Sequence, residues 1–277
     1  MRVLNAAHLV DCSAPQSKKT ASRRGSARLA ERRVFGALIT PLRLEQLAEV
    51  IASDRPAPGE GIRCVFTMNL YHVVVLEHDA AFRQAYADAW AVTLDGAPVA
   101  AFANCKGVRR GRITGSDLMP VIVDKLRPGD HRPFFVVSDL ATEGSIRRRL
   151  EQQGFGFADV AFAEPPFGFE NDGLASQSLV DAIRRHQTTH IFMSVGAPKS
   201  EIWLHQHSAV LGDAYGLCFG SGANYMAGTR RRAPLVMRRL GLEWLHRLAS
   251  EPRRLWRRYL LASWGYLIAM ARDWNRP

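Results

Sequence analysis

The chain has 277 residues, of which 47% are hydrophobic and 23% charged, with a formal net charge of +11 at pH 7. This length and composition support a folded protein with a sizeable core. The longest uncharged apolar stretch near the carboxyl terminus, residues 259–271, is shorter than the roughly 20 residues that cross a bilayer, and no secretory signal is visible. Four widely separated cysteines, Cys12, Cys64, Cys105 and Cys218, predict free thiols in a reducing cytoplasm.

Positive charge is concentrated at the two ends of the chain. Residues 1–33 carry +6 and residues 230–259 carry +8, whereas residues 34–229 carry −4. We predict a flexible basic arm over 1–33, an α/β core over 34–229 and an Arg-rich helical appendage over 230–277.

Helical and strand patterns alternate from residue 42 onward. A helix with apolar residues between Leu42 and Ile51 precedes a strand at 62–66, and a helix over 71–89 precedes a strand at 90–94. The later predicted elements are helix 117–126, strand 133–137, helix 142–153, strand 158–162, helix 174–186, strand 190–195, helix 199–211 and strand 215–219. This alternation predicts a Rossmann-like, mostly parallel sheet with helices on both faces.

The Arg-rich appendage has its own helical patterns. The apolar residues that predict a first helix with one buried face are Met237, Leu240, Trp244, Leu245 and Leu248. Glu251-Pro252 should end this helix. A second helix should begin at Arg253, with several arginines one turn apart on one side, an arrangement suited to a pyrophosphate.

Residues 259–271 follow this second pattern and combine Trp and Tyr with an apolar, uncharged sequence. A helix with a basic start and such an end suits the plane of an anionic membrane surface. A buried terminal helix is the alternative.

Polar residues at the ends of predicted strands are the first candidates for chemistry. Asp95 ends one strand, where a carboxylate can accept a proton from a bound hydroxyl group. Thr67 and Asn69 end the preceding strand and are placed to orient a sugar or phosphate. Ser116 and Asp117 are predicted to cap a helix, a role compatible with ligand binding. Each of these motifs also occurs in ordinary turns.

Lys199 lies at the predicted start of a helix, where backbone N–H groups attract anions. A simple loop and cap is the alternative for this segment. The sequence has no Walker loop, no dinucleotide-binding glycine spacing and no Asp-x-Asp motif. We therefore expect no cofactor and no metal, so that protein cations must neutralise any diphosphate leaving group.

Taken together, these motifs resemble the WecG/TagA/CpsF family of bacterial glycosyltransferases (glycosyltransferase family 26), which elongate polyprenyl-diphosphate-linked glycans. The matching motifs occur in the family's order between about residue 40 and residue 260. They include Thr67-x-Asn69, Asp95-Gly96, Gly115-Ser116-Asp117-Leu118, Gly196-Ala197-Pro198-Lys199-x-Glu201, Gly241-Leu242-Glu243-Trp244 and Glu251-Pro252-Arg253-Arg254.

The resemblance implies an inverting, metal-independent transfer from a UDP-sugar, of the N-acetylmannosamine or glucose type, to a polyprenyl-diphosphate-linked sugar. The setting it implies is exopolysaccharide or cell-envelope glycan synthesis at the inner face of the cell membrane. Asp95 would be the general base, and C-terminal arginines would contact the diphosphate. The substrate-binding residues expected on this basis are Thr67, Asn69, Ser116, Asp117, Lys199, Ser200, Glu201, Asn224, Arg232, Arg247, Arg254 and Arg257.

Three positions depart from the family's pattern. Ser200 replaces the usual Gln, Asn224 stands where an Asp commonly precedes Ala-Gly, and Ser138-Asp139 replaces a glycine pair. We expect these differences to affect the identity of the donor sugar and the strength of activity more than the fold.

Two other function classes remain as alternatives: a nucleic-acid-binding module that uses the basic ends, and a catalytically weak scaffold of a polysaccharide assembly. The acids Glu243 and Glu251 among the arginines disfavour the first, and we expect no nucleic-acid partner. Retention of Asp95, Thr67 and Asn69 disfavours the second. Homo-oligomerisation is left open.

Overall fold

The computed structural model describes residues 33–256 and 262–275. Apart from Arg33, the basic arm predicted over residues 1–33 lies outside the described residues, as does Cys12. Cys64, Cys105 and Cys218 are free thiols.

The described chain begins with an antiparallel hairpin, β1 (Arg33–Val34) and β2 (Ala37–Leu38). The strands that follow are β3 (Ile62–Met68), β4 (Ala91–Leu94), β5 (Pro133–Val136), β6 (Ala161–Ala163), β7 (His190–Met193) and β8 (Ala214–Cys218). They form one six-stranded sheet in the order β4-β3-β8-β7-β5-β6, and every pairing is parallel. The predicted α/β class and parallel sheet are confirmed.

Helices connect the strands and cover both faces of the sheet. The first half of the chain forms α1 (Leu44–Ser53), α2 (Leu70–His78), α3 (Ala80–Ala87), α4 (Ala97–Cys105), α5 (Gly115–Lys125) and α6 (Leu140–Gln152). The second half forms α7 (Gly173–Arg185), α8 (Lys199–Gln206), α9 (Gly222–Ala227), α10 (Leu235–Arg239), α11 (Glu243–Ser250), α12 (Pro252–Trp256) and α13 (Ala262–Trp274).

Strand β3 shows how the sheet divides the core into two layers. Cys64 and Phe66 belong to one buried apolar cluster, and Val65 between them belongs to the other. Successive side chains of a strand point to opposite faces, so a buried strand supplies both layers. This explains why the interior strands read as continuous apolar runs.

The helix predicted over residues 71–89 is two helices. Asp79 separates α2 from α3, and its carboxylate accepts a hydrogen bond of 2.9 Å from the backbone N–H of Phe82. An Asp that caps a new helix interrupts an apolar pattern that otherwise continues across the junction. Helix α4 was not predicted, because Asp95-Gly96 resembled a turn.

The cap of α5 also differs from the prediction. Thr114, and not Ser116 or Asp117, is the N-cap residue, since its hydroxyl oxygen accepts from the N–H of Asp117 at 3.1 Å. Thr114 is buried. Ser116 and Asp117 consequently lie in the first turn of the helix.

The first helix predicted in the appendage is broken in two. Gly241 adopts a φ of +73°, a left-handed conformation that glycine tolerates, and it separates α10 from α11. Leu240 is 67% exposed and Leu245 is 42% exposed, so the prediction that their shared face is buried is wrong. Glu251-Pro252 does end the pattern, between α11 and α12.

Helix α13 packs against α2. Val74 lies against Gly265, Ala269 is buried, and the Tyr266 hydroxyl donates a 2.9 Å hydrogen bond to the Pro98 carbonyl. The opposite side of α13 is exposed and apolar. Within the described ranges, no helix is both long and apolar enough to cross a membrane.

Candidate active site

A cavity of about 330 Å³ opens where β3 and β4 end. The α/β core contributes Asn69, Asp95, Arg112, Thr114, Ser116 and Ser221 to its polar lining. The chain after residue 229 contributes Arg230, Glu243, Trp244, Arg247, Glu251 and Ser263. The core and the Arg-rich region therefore build one cavity together, at the sheet edge where open α/β proteins bind ligands.

Asp95 follows β4 directly and reaches the cavity. Its backbone N–H donates to the Met68 carbonyl at 2.7 Å, which fixes the end of β4 against β3. Its carboxylate accepts a long hydrogen bond of 3.4 Å from the backbone N–H of Gly115. Burial raises the pKa of Asp95 to about 6, against the opposing effect of Arg247, and the carboxylate of Glu243 adds to the increase. A carboxyl group with this pKa is ionised at neutral pH and can still accept a proton.

The backbone of α5 comes close to this carboxylate because residue 115 is a glycine. A Cβ atom at Gly115 would lie 2.9 Å from Phe219 Cβ and 3.0 Å from Phe219 Cα. Only a residue without a side chain allows the start of α5 to approach the end of β8 in this way. In the motif Gly115-Ser116-Asp117, Gly115 is therefore required for packing, and Ser116 lines the cavity.

Asn69 and Thr67 take different positions although both come from the end of β3. Asn69 lines the cavity, and its side-chain oxygen caps α2 by accepting from the His72 N–H at 3.1 Å. Thr67 is buried, and its hydroxyl lies 3.4 Å from the Cys218 carbonyl. Thr67 thus contacts the neighbouring strand β8 beneath the cavity.

Arg232 links the appendage to the start of α5. Its guanidinium lies 2.7 Å from Asp117, 3.3 Å from the Thr114 hydroxyl and 3.4 Å from Glu243. Burial opposes ionisation of Asp117, but the hydrogen bonds from Arg232 and Thr114 keep the pKa of Asp117 below its ordinary value. Arg232 and Asp117 therefore brace the cavity wall as an ion pair, beside the lining residue Ser116.

Of the described arginines, three line the cavity itself: Arg112, Arg230 and Arg247. Arg247 donates to the Tyr225 hydroxyl at 2.6 Å and lies 5.0 Å from the centre of that ring. Arg230 pairs with Glu251 at 2.9 Å. Guanidinium groups held in this way present fixed donors to an oxyanion, since their own positions are set by aromatic and carboxylate contacts.

Seven described residues that were expected at the site lie outside the cavity lining: Thr67, Asp117 and Arg232, whose positions are given above, and Lys199, Ser200, Glu201 and Asn224. Lys199 packs over Phe167, with its Nζ 5.2 Å from the ring centre. Ser200 is buried and donates to the Gly196 carbonyl at 3.0 Å, and Glu201 is also buried. Asn224 is buried in α9, where its amide donates to Asp139 at 2.9 Å.

Two further expected residues cannot be located in the cavity. Arg257 lies outside the described residues, and Arg254 belongs to α12 but its side chain lies outside the described part of the chain. The predicted pyrophosphate grip by the second helix of the appendage stays a prediction for these two positions.

Several lining residues were not singled out from the sequence. Arg112 and Tyr71 carry no motif of their own, and Ser263 is distant in sequence from every strand end. Glu243 and Trp244 belong to the motif Gly241-Leu242-Glu243-Trp244 that carries the resemblance, but neither was predicted to bind substrate. The local sequence does not indicate that these residues line a cavity, because tertiary packing brings α11 and α13 over the sheet edge.

In residues 33–256 and 262–275 no group of three or more His, Cys, Asp or Glu side chains is arranged to hold a metal ion. The charges that face the cavity are those of the arginines and carboxylates described above.

Known proteins are similar to this chain in sequence. The model of the glycosyl transferase WecG/TagA/CpsF family matches residues 32–277. A Bacillus spizizenii protein named N-acetylglucosaminyldiphosphoundecaprenol N-acetyl-beta-D-mannosaminyltransferase is 28% identical over 151 residues, covering 54% of this chain and 56% of the relative. A Staphylococcus aureus protein of the same name is 26% identical over 161 residues, covering 58% and 61%. The chain thus spans less than two thirds of the length of these relatives.

Proposed function

The chain belongs to the WecG/TagA/CpsF family of glycosyl transferases, and on that premise we propose that it transfers a sugar from a UDP-sugar to a polyprenyl-diphosphate-linked sugar. The observation that carries the proposal is the position of Asp95, whose carboxylate shares one cavity with Arg112, Arg230 and Arg247. A metal-independent transfer requires a general base for the acceptor hydroxyl and cations that stabilise the leaving group.

Asp95 is the proposed general base. Glu243 and Glu251 also reach the cavity, but each faces an arginine, at 3.4 Å and 2.9 Å respectively. Among the described residues, the Asp95 carboxylate accepts one hydrogen bond, a long one from the backbone N–H of Gly115. Its raised pKa suits proton transfer near neutrality. Its carboxylate would take the proton of the acceptor hydroxyl as that oxygen attacks the anomeric carbon.

The attack displaces UDP in one step. The bond between the anomeric carbon and the diphosphate oxygen breaks as the new glycosidic bond forms, so the anomeric configuration inverts. Negative charge grows on the departing diphosphate, and Arg112, Arg230 and Arg247 would stabilise it by charge-assisted hydrogen bonds. These interactions accelerate the reaction to the extent that they strengthen in the transition state.

The substrates are proposed from the relatives. Their printed name describes transfer of N-acetyl-β-D-mannosamine to an N-acetylglucosaminyl-diphosphoundecaprenol. We propose an acceptor of this lipid-diphosphate class and a UDP-sugar donor of the N-acetylmannosamine or glucose type. The product would belong to a cell-envelope or exopolysaccharide glycan.

The exposed side of α13 supports action at a membrane surface. Trp264, Leu267, Ile268 and Trp274 are each more than half exposed. They follow one another at helical spacing, and Ser263 on the same helix lines the cavity. An apolar helix face next to an arginine-lined cavity suits a lipid-linked acceptor whose head group is a diphosphate. We propose peripheral association with the inner face of the cell membrane.

Incubation with a polyprenyl-diphosphate-N-acetylglucosamine acceptor and a panel of UDP-sugars tests the function, with product mass and linkage as readouts. We expect one UDP-sugar to give a lipid product enlarged by one sugar, with inverted anomeric configuration. The rate should be unchanged in EDTA, because the proposed leaving-group stabilisation comes from arginines. Loss of turnover in EDTA, with recovery on adding a divalent cation, would contradict the metal-independent part.

Measurements of UDP binding and DNA binding distinguish this proposal from the nucleic-acid-binding alternative. A transferase binds UDP in competition with its donor and is unaffected by duplex or single-stranded DNA. A basic binding module binds DNA with a steep dependence on salt and does not respond to UDP. Absence of UDP binding and of product, together with salt-dependent DNA binding, would overturn the proposed function.

A further inference from the structure

Two of the positions that depart from the family's sequence pattern contact each other directly. Asp139 is the N-cap of α6, and its Oδ2 accepts a hydrogen bond of 2.9 Å from the side-chain amide of Asn224 in α9. The same amide lies 3.0 Å from the Thr142 hydroxyl. Because a carboxylate only accepts hydrogen bonds, the amide N–H₂ group must face Asp139.

Asp139 is held as a charged acceptor. Burial opposes its ionisation, but hydrogen bonds from the Thr142 backbone, the Thr142 hydroxyl, Asn224 and Ser138 keep the pKa of Asp139 below its ordinary value. The Thr142 N–H contact is 2.7 Å and the Thr142 hydroxyl contact is 3.0 Å. One negative charge, surrounded by donors, therefore lies between α6 and α9.

The contacts continue from this charge to the cavity. The backbone carbonyl of Asn224 accepts from the Arg230 backbone N–H at 3.2 Å and from the Thr229 hydroxyl at 3.2 Å. The Thr229 hydroxyl also lies 2.9 Å from that of Thr142. Asn224 thus connects Asp139 on one side with the turn that carries Arg230 on the other.

We infer that Asp139 and Asn224 are a coupled pair of positioning residues that hold Arg230 in the cavity. Neither touches the reacting atoms. Their pairing requires one carboxylate and one amide, because two carboxylates at 2.9 Å would repel each other and Asp139 would lose the hydrogen bond from the Asn224 amide. Either residue of the pair can carry the negative charge. Exchanging the carboxylate and the amide between the two positions should therefore be tolerated better than replacing one of them.

This inference rests on the proposed function, since it assigns Arg230 to the UDP leaving group. It also explains why the two departures occur together in one chain. An Asp at position 224 would face the carboxylate of Asp139, whereas an amide there donates to it.

The test is a double-mutant cycle with four proteins: wild type, Asn224→Asp, Asp139→Asn and the double variant Asp139→Asn/Asn224→Asp. We expect Asn224→Asp to lower kcat/KM by about tenfold or more, the coupling typical of charged groups in contact. The double variant should return to within about threefold of wild type, because it restores one carboxylate and one amide. Additive losses, with the double variant worse than either single variant, would overturn the pairing.

The matched control is Gln177→Glu in α7. The Gln177 amide donates to Asp181 at 2.9 Å, and both residues are exposed. This change also places a carboxylate beside a carboxylate, but in solvent and away from the cavity, so kcat/KM should not change. Thermal unfolding of every variant separates a shifted Arg230 from a protein that is partly unfolded.

Arg230→Lys, in the wild-type and Asn224→Asp backgrounds, tests the connection to the cavity. We expect it to reduce kcat more than to raise KM in the wild-type background, since a leaving group gains its charge in the transition state. The reduction should be smaller in the Asn224→Asp background, where Arg230 is already displaced. Equal reductions in both backgrounds would refute the positioning role. A wild-type protein that neither binds UDP nor forms product would instead refute the proposed function itself.

Discussion

At the scale of single residues, the proposed chemistry depends on the environment of Asp95. Asp95 lies at the end of β4, where its burial and the competing influences of Arg247 and Glu243 leave its pKa at about 6. A lower pKa would make it a weaker base, and a much higher one would leave it protonated in the cell. Burial has the larger influence, because it penalises the charged form directly.

Replacement of Asp95 by Asn should abolish transfer with little change in fold. The amide keeps the shape of the side chain but cannot take a proton, and loss of a general base typically costs about 10²- to 10⁴-fold in rate. Product formation measures the loss, and UDP binding together with thermal unfolding shows that the site is intact. Asp130→Asn, an exposed position away from the cavity, is the control. Wild-type turnover by the Asp95 variant would remove this residue from the mechanism.

The pH dependence of kcat/KM should follow the titration of Asp95. The ionised carboxylate is the active base, so activity should be full above pH 7 and fall about tenfold per unit of pH below about 6. Glu243 raises this pKa, so Glu243→Gln should move the midpoint of the profile to lower pH. Glu45→Gln, on the exposed side of α1, should leave the midpoint unchanged. A midpoint that does not respond to Glu243→Gln would mean that another group titrates.

At the scale of elements, α13 is joined to the core through a buried ion pair. Lys106, at the end of α4, lies 3.1 Å from the Asp273 carboxylate, whose side chain is 3% exposed. The other oxygen of that carboxylate accepts from the Phe35 backbone N–H at 3.0 Å. Asp273 therefore binds α13 to both the β1–β2 hairpin and α4, and so supports the cavity wall to which Ser263 belongs.

Asp273→Ala should lower the free energy of unfolding by about 3–5 kcal/mol, because it removes the carboxylate that compensates a buried ammonium group. Urea denaturation measures the change. Arg272→Ala provides the comparison on the same helix: Arg272 pairs with Glu77 at 2.6 Å but its side chain is 60% exposed, so the loss should stay below about 1 kcal/mol. Equal effects of the two substitutions would show that the buried pair does not anchor α13.

At the scale of the whole molecule, the carboxyl-terminal appendage combines positive charge with exposed apolar side chains. Residues 230–259 carry +8, and the exposed face of α13 presents two tryptophans, Trp264 and Trp274. Attraction to anionic lipids and burial of an apolar helix face act in the same direction. Removing the whole appendage would be a poor test, because α11, α12 and α13 also build the cavity.

The double substitution Trp264→Ser/Ile268→Ser should weaken binding to vesicles that contain anionic phospholipid. Both side chains are more than half exposed, so the fold should not change. Sedimentation with vesicles measures binding, which should also fall at high salt. Leu174→Ser, at an 84% exposed position of α7, is the control, and neutral vesicles are the second. Undiminished binding by the double variant would contradict contact through α13.

The sequence by itself determined the alternation of strands and helices, because buried parallel strands and amphipathic helices leave local patterns of hydrophobicity. It also marked Asp95 and Asn69, since polar residues at strand ends stand out against apolar runs. Helix starts were less certain: Thr114 and Asp79 cap helices through single hydrogen bonds that apolar periodicity does not report.

Only the tertiary structure decided how the carboxyl-terminal appendage meets the core. Arg112, Arg230, Glu243 and Ser263 come from distant segments and line one cavity, whereas Lys199 and Asn224 lie outside its lining despite their promising motifs. The contact between Asp139 and Asn224 likewise joins residues 85 positions apart. Such contacts depend on the packing of whole helices over the sheet edge. Local sequence patterns do not predict which distant side chains come together there, because those patterns report only the periodicity of neighbouring residues.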